Sequence, residues 1–353
     1  MVEELLWYIP NQVHAGHRGD DRVEGHNSLE RLSTLARGVE AAGWGGALLG
    51  TGWARPDTFT VAAALATATT RFQPLVAIRP GYWQPAHFAA AAATLDHLSG
   101  GRVLVNVVSG QDHQEQYGDD EGDQAQRYAR TKEFMRLVRR LWTEERVTHD
   151  GEYYRARDAD IALRPVAREG RPHPRLYFGG ASEAAQRVGA TEADVQLFWG
   201  EPLEGVAERI ATLRGLEQSL ERDLPPLQFG LRITTVVRET REEAWADAEA
   251  RVAQMAKGPA EFARDPRRDH AQGQQRLVEL AARGDVLDDC LYVAPARHGG
   301  GGAGSTWLVG SAEDVAKALH RYLDLGVSHL ILSDTPYERE VERIGRLLLP
   351  LLR

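Results

Sequence analysis

The stretch LVAIRPGYWQP at Leu75 to Pro85, followed by ATLDHLSGGRVLVNVVSG at Ala93 to Gly110, constrains the fold more than any other part of this chain. An apolar strand ends in the charged Arg79, a helical segment carries the chain back, and a second apolar strand ends at the polar Asn106. Unusual residues that fall where strands stop point to a β/α barrel, which keeps its active site at that end.

The rest of the chain repeats the pattern. Eight strands are predicted: LLWYI at 5 to 9, GALL at 46 to 49, PLVAI at 74 to 78, VLVNV at 103 to 107, LYFG at 176 to 179, VQLFW at 195 to 199, LRITTVV at 231 to 237 and HLILS at 329 to 333. Helical patterns fit between them. SLERLSTLARGVEAAG opens at Ser28 with a capping-box-like Ser-Leu-Glu-Arg, and SAEDVAKALHRYLDLG has Ser311 at its start and Gly326 at its end. Continuous apolar runs predict parallel strands covered on both faces. The expectation is an α/β fold, a single (β/α)8 TIM barrel spanning 1–353, with a doubly wound sheet as the alternative.

Two segments exceed what barrel loops need. The first, about 108–174, follows strand four and carries an acidic DDEGDQ, a helix RTKEFMRLVRRLW and an extended excursion VTHDGEYYRARD. The second, about 256–310, follows strand seven and ends in ARHGGGGAGSTWLVG. Gly299 to Gly302 cannot stabilise a helix or strand, so this run reads as a mobile active-site lid or a plain linker.

Composition excludes several classes. A chain of 353 residues, 42% hydrophobic and 26% charged, can bury the core of one decorated barrel or two ordinary domains. A single cysteine, Cys290, rules out a disulfide framework, and its apolar neighbourhood reads as a buried structural thiol. MVEELLWYIP does not resemble a signal segment and no apolar run reaches the ~18 residues of a membrane span, so a cytoplasmic protein is expected. The net charge of -9 offers no basic footprint for nucleic acid or anionic membrane. An anionic ligand would therefore need a local arginine cluster. His14 and His17 in HAGH lack a nearby third ligand, and no metal is expected. No G-x-S-x-G elbow, Walker loop or G-x-G-x-x-G after a first strand occurs.

A colinear series of blocks resembles the flavin-dependent branch of the bacterial luciferase-like superfamily, and most closely its alkanesulfonate monooxygenases. The blocks are WYIPN, LLGTG, VAIRP, AATLDHLSGGRVLVNVVSG, ERVTHDGEYYRA, PRLYFGGASEAA, FWGEP, FGLRITTVVRETREEAW, GQQRL, GGAG, LVG and IGRLLLPLL. The resemblance implies a barrel that binds reduced FMN delivered by a separate NAD(P)H-dependent FMN reductase, reacts it with dioxygen and oxygenates a small organosulfur substrate. It also implies a homodimer or homotetramer.

Carried over residue by residue, the family's flavin site falls on Thr51, Gly52, Asn106, Ser109, Glu115, Arg127, Tyr128, Gly180 and Ser182. Thr51 and Asn106 can meet the polar edge of an isoalloxazine ring, while the Gly180–Ser182 turn at a helix start suits a phosphate. Ser182 is equally a plain N-cap. The substrate side falls on Arg79, Arg232 and Trp199, with Arg55 and Arg297 as further anion-binding candidates. A guanidinium fork matches sulfonate oxygens, but a buried arginine in an apolar strand is also what a structural ion pair provides, and Trp199 is a pocket wall or a core aromatic.

The chain departs from the alkanesulfonate pattern at four pocket positions. Arg55 replaces a cysteine, Gln12 and Thr234 replace histidines, and Thr335 replaces a tyrosine, so no proton donor is identified. WYIPN and PGYWQP also resemble dimethyl sulfone monooxygenases. The expected function is reduced-FMN-dependent desulfonation of an alkanesulfonate to aldehyde and sulfite, the alternatives being a sulfone or other small-molecule monooxygenase, or a deazaflavin-dependent dehydrogenase.

Overall fold

Eight runs of residues that have no polar face to offer water form eight parallel strands, and these close on themselves. The computed structural model describes residues 1–11, 28–52, 55–109, 118–119, 122–168, 170–257, 272–298 and 304–353. The chain opens with β1 (Glu4–Ile9), α1 (Leu29–Ala41), β2 (Gly46–Leu49), α2 (Thr58–Thr67), β3 (Gln73–Ile78), α3 (Pro85–Leu98), β4 (Leu104–Val107) and α4 (Gln124–Thr143). A hairpin of β5 (Val147–Asp150) and β6 (Arg155–Ala159) follows, then β7 (Leu176–Gly179), α5 (Glu183–Glu192), β8 (Val195–Trp199) and α6 (Leu203–Ser219). Next come β9 (Gln228–Arg238), α7 (Arg241–Met255), α8 (Gln272–Ala282), β10 (Val286–Leu287), β11 (Leu291–Tyr292) and β12 (Trp307–Ser311). The chain ends with α9 (Ala312–Asp324), β13 (Val327–Ser333), α10 (Tyr337–Leu347) and α11 (Leu349–Leu352).

The barrel runs β1, β2, β3, β4, β7, β8, β9, β13 and back to β1, every pairing parallel. All eight strands read from the sequence are its staves. Three coincide to the residue, at Gly46–Leu49, Leu176–Gly179 and Val195–Trp199. The open doubly wound alternative is excluded by the β8–β9 and β13–β1 pairings that complete the ring.

Helix ends follow local chemistry. Ser28 caps α1 by accepting from the Arg31 amide, but Arg31 in third place cannot return a bond as a Glu would, so the reciprocal box is absent there. Ser311 with Asp314, Thr240 with Glu243, and Asp123 with Gln126 make full boxes at α9, α7 and α4. Each cap of this kind is worth ~1 kcal/mol.

Alternation along the strands stacks the barrel interior in levels. Leu6, Leu48, Leu75, Leu104, Leu197 and Ile331 form an inner apolar cluster, separate from the larger cluster between barrel and helices. Toward the N-terminal end, the inward positions include polar residues. There His329 Nε2 donates to Gln228 Oε1 at 3.2 Å, so its Nδ1 accepts from the Tyr177 hydroxyl at 3.0 Å. Burial first, and then the Arg175 and Arg171 charges, push the His329 pKa down to about 3. Further toward the C-terminal end, the inward positions are Tyr8, Gly50, Arg79, Asn106, Trp199, Arg232 and Ser333. The apolar level seals these from the opposite mouth.

β9 is longer than its neighbours because it serves three of them. One edge pairs with β13 from Phe229 to Thr234. The other pairs with β8 up to Trp199↔Arg232 and is then taken over by β12 from Trp307↔Thr234 to Ser311↔Arg238. The second insertion thus returns to the barrel through β10, β11 and β12. The glycine run Gly299 to Gly302 lies outside the described residues.

Candidate active site

Strand ends carry two chemically different halves around the C-terminal mouth. On one side, β4, β7 and the start of α4 bring together Asn106, Ser109, Tyr128, Gly180 and Ser182. On the other, β9, β13, β1, β2 and β3 present Arg232, Ser333, Tyr8, Arg55 and Arg79.

Gly180 is fixed by close approach. A Cβ there would overlap the Ala185 Cβ of α5 and lie 3.5 Å from the Tyr128 hydroxyl, so only glycine lets the turn pass beneath that tyrosine. Ser182 caps α5, its Oγ accepting from the Ala185 amide at 3.2 Å, which leaves the hydroxyl hydrogen to donate elsewhere. Behind the turn, Arg209 of α6 donates to the Gly180 carbonyl at 3.0 Å and to Glu201 at 2.8 Å. Glu201 also receives Arg276 of α8, and a Cβ on Gly273 of α8 would lie 3.2 Å from the Trp199 ring. The second insertion therefore packs against the turn and the end of β8.

Asn106 is 7% exposed, and its buried Oδ1 has no hydrogen-bond partner among the described residues. An orphaned amide oxygen in a barrel interior costs about 1–3 kcal/mol, a cost that a ligand donor would relieve. Thr131 spends its proton on the Arg127 carbonyl at 2.8 Å, so Ser109, 2.7 Å away, donates to Thr131. Thr51 is half-buried and Gly52 buried, in the turn after β2. Arg127 instead donates to the Gly122 carbonyl at 2.8 Å on the exposed start of α4, and Glu115 lies outside the described residues, as does Gln12. A small-residue turn at a helix start, a hydroxyl on each side of it and an unpaired amide oxygen together fit a phosphorylated flavin.

On the cationic side, Arg232 is 5% exposed, donates to Ser333 Oγ at 3.0 Å and lies over the Tyr8 ring, 4.2 Å from its centre. Arg79 is buried at the end of β3, its guanidinium 6.0 Å from the Tyr82 ring centre. Arg55 donates to the Pro10 carbonyl at 2.5 Å. Trp199 is half-buried at the end of β8. Arg297 is turned away from the mouth, donating to the Ala281 carbonyl at 3.1 Å and to Asp285 at 2.5 Å, where it holds the end of α8.

A buried ionic network, unforeseen in the sequence, anchors this half. Arg251 donates to Asp334 at 2.6 Å, and Arg238 reaches Asp334 at 3.2 Å, Glu340 at 3.1 Å and Asp247 at 2.8 Å. Burial opposes the charge of Asp247, but Arg251 and Arg238 outweigh it and hold the carboxyl below its ordinary pKa, whereas burial and then Asp334 raise that of Glu340. Asp334 directly follows Ser333, so the network fixes the strand end on which Arg232 rests. Thr335 accepts from Arg251 at 3.4 Å. Asp247, Arg251 and Glu340 sit on helices, where a charged residue usually marks a solvated face.

Cys290 is buried one residue before β11, its pKa pushed up to about 11 by burial, which leaves it an inert thiol. Among the described residues, no three His, Cys, Asp or Glu side chains are placed to hold a metal ion, and His14 and His17 lie outside them. No helix among the described residues is long and apolar enough to cross a membrane.

Solved structures share the architecture at low identity. Riboflavin lyase, determined with modified FMN and its substrate riboflavin, matches with a TM-score of 0.80 at 20% identity, over 99% of this chain and 92% of that one. DmoA from Hyphomicrobium sulfonivorans matches with a TM-score of 0.75 at 18% identity, over 99% and 88%. The coenzyme F420 dependent tetrahydromethanopterin reductase from Methanopyrus kandleri matches with a TM-score of 0.69 at 15% identity, over 99% and 100%. Residues 4–329 match the family model of luciferase-like monooxygenases. A match over nearly the whole barrel, joined to an eight-stranded architecture with its polar residues at the C-terminal mouth, makes the chain a member of the luciferase-like monooxygenase family and an oxidoreductase of that kind.

Proposed function

We propose that this enzyme binds reduced FMN, supplied by a separate NAD(P)H-dependent reductase, and oxygenates a small organosulfur anion, in the simplest case desulfonating an alkanesulfonate. The observation that carries this reading is the division of the mouth into a phosphate-type turn on β7 and α5 and a guanidinium-bearing half on β9, β13 and β1.

In this reading the Gly180 turn, Ser182 and Tyr128 hold the flavin phosphate, while Asn106 and Thr51 face the ring edge. Bound reduced flavin supplies the activation of dioxygen. Arg232, supported by Ser333, fixes the sulfonate, with Arg79 and Arg55 adding positive charge. Trp199 and the apolar level beneath exclude water. In overall balance, the C–S bond breaks, sulfite leaves, and the two dioxygen atoms end in the aldehyde and in water as the flavin is oxidised. A homo-oligomer and a cytoplasmic setting accompany this proposal.

The test is a coupled assay with an FMN reductase, scoring sulfite across sulfonates, sulfones and sulfur-free substrates. Sulfite released only from sulfonates is the expected result; oxygen consumption that no organosulfur compound alters would overturn it. The likeness to a coenzyme F420 dependent reductase favours a second reading, a deazaflavin-dependent dehydrogenase. Anaerobic titration with reduced FMN and with reduced deazaflavin separates the two.

A further inference from the structure

Tyr8 is an aromatic residue in an apolar strand, a pattern that ordinarily means core packing. Here it stands two residues beyond Leu6 on β1, so its side chain faces into the barrel one level above the apolar seal. Its ring is the seat of the Arg232 guanidinium, 4.2 Å from the ring centre, and its other neighbour is the Tyr337 ring at 6.0 Å. Those contacts use only the ring. A phenylalanine would make both, so they do not account for the hydroxyl.

The hydroxyl has no hydrogen-bond partner among the described residues. It lies 3.0 Å from the point a Cβ on Gly50 would occupy, and Arg55 Nη1 lies 3.4 Å from the same point. Among the described residues, Arg55 donates only to the Pro10 and Asn11 carbonyls, at 2.5 and 3.4 Å, and pairs with no carboxylate. Fully buried Asn11 keeps this arrangement together, its Nδ2 donating to the Gly50 and Pro56 carbonyls, both at 2.9 Å, which ties the turn after β1 to the turn after β2. A phenol donor thus has one guanidinium against its ring and a second facing the same space over Gly50 as its oxygen. That place favours an anionic oxygen over a neutral acceptor, because hydrogen bonds from these donors are strongest to a charged group.

We propose that Tyr8 is a specificity-determining residue that touches substrate: its hydroxyl donates to the anionic head group that Arg232 and Arg55 hold, and so selects sulfonate-type anions over neutral sulfones. The inference rests on the reading of this mouth as an organosulfur-anion site. Two functions meet in one side chain, and Gly50 supplies the space they need. The ring positions Arg232, the hydroxyl adds a directed bond, and the absence of a side chain at Gly50 leaves room for the ligand oxygen.

The test is anaerobic calorimetry with reduced FMN present at saturation, titrating ethanesulfonate and dimethyl sulfone into the wild type, Tyr8→Phe and Tyr8→Leu. Tyr8→Phe should bind ethanesulfonate about ten- to a hundredfold more weakly, the size of a hydrogen bond to a charged group. Tyr8→Leu should be weaker again, because Arg232 loses its seat. Affinity for dimethyl sulfone, and for reduced FMN titrated alone, should be the same in all three. Equal ethanesulfonate affinity in wild type and Tyr8→Phe overturns the contact, and a parallel loss for sulfone and sulfonate reduces Tyr8 to a wall of the pocket. A wild type that binds reduced FMN but no sulfonate would instead defeat the substrate class, and one that binds no reduced FMN would defeat the cofactor reading.

Discussion

Arg232 Nη1 donates to Ser333 Oγ at 3.0 Å across the seam where β9 and β13 pair, which holds one edge of a buried guanidinium still inside the barrel mouth. Replacing Arg232 by Ala should lower sulfonate turnover by about a hundredfold or more, since a truncated partner of a charge pair costs ~2–5 kcal/mol. Reduced-FMN affinity and the unfolding midpoint should change little. Lysine should recover only part of the loss, because a point charge cannot reproduce the planar fork. Steady-state kinetics beside flavin titrations check both statements; a loss of folding without a separable kinetic effect would make the residue structural.

Gly180→Ala should damage flavin binding through packing alone. The new methyl group overlaps Ala185, and relieving that overlap costs about 1–3 kcal/mol of stability while shifting the phosphate turn. Fluorescence titration should show weaker reduced FMN binding, and the wild type should prefer FMN to riboflavin. Equal affinity for the two flavins would refute a phosphate site at this turn.

Asn106→Leu separates binding from stability. Removing the orphaned Oδ1 should leave the melting temperature unchanged or higher, since a buried unsatisfied carbonyl costs about 1–3 kcal/mol. Flavin affinity should fall at the same time. A melting temperature that drops with affinity unchanged would contradict the assignment.

His329 gives a pH prediction. Its folded pKa of about 3 lies below the ordinary imidazole value of 6.5, so the folded state favours the neutral ring and the unfolded state binds the extra proton. Stability from this group is complete above pH 6.5 and drains away as pH falls from there toward 3, at up to about 1.4 kcal/mol per pH unit. Denaturant melts from pH 7.5 to 4.5 should show this slope, and His329→Gln should flatten it.

The eight strands were legible because a parallel strand buried on both faces leaves an uninterrupted apolar run, which few other structures produce. The arginines at Arg79 and Arg232 stood out for the same reason, as charges where none is expected. Tyr8 did not stand out, because an aromatic residue in such a run looks like any other core residue and only the level it occupies in the barrel distinguishes it. Arg238, Asp247, Arg251 and Glu340 were hidden for the opposite reason, being charges on or beside helices where charge is ordinary. Asp334 was readable as a polar residue at a strand end, yet its partners come from 83 to 96 positions away in the chain.

The same network sets an expected cost. Asp334→Ala removes one of the two carboxylates that Arg238 and Arg251 share and leaves them Asp247, so the cost should reach at most the roughly 3–5 kcal/mol of a fully broken buried pair. Chemical denaturation should register that loss. Flavin affinity, seated on the far half of the mouth, should be spared in whatever fraction remains folded.

The handover of one β9 edge from β8 to β12 limits how far this enzyme can be shortened. The five residues Trp307–Ser311 cannot be removed, because their loss would strip the partners from β9 between Thr234 and Arg238 and leave a raw sheet edge beside the mouth. A minimal version of the enzyme, or a chimera carrying a foreign cap, must therefore keep this strip of backbone as its splice point.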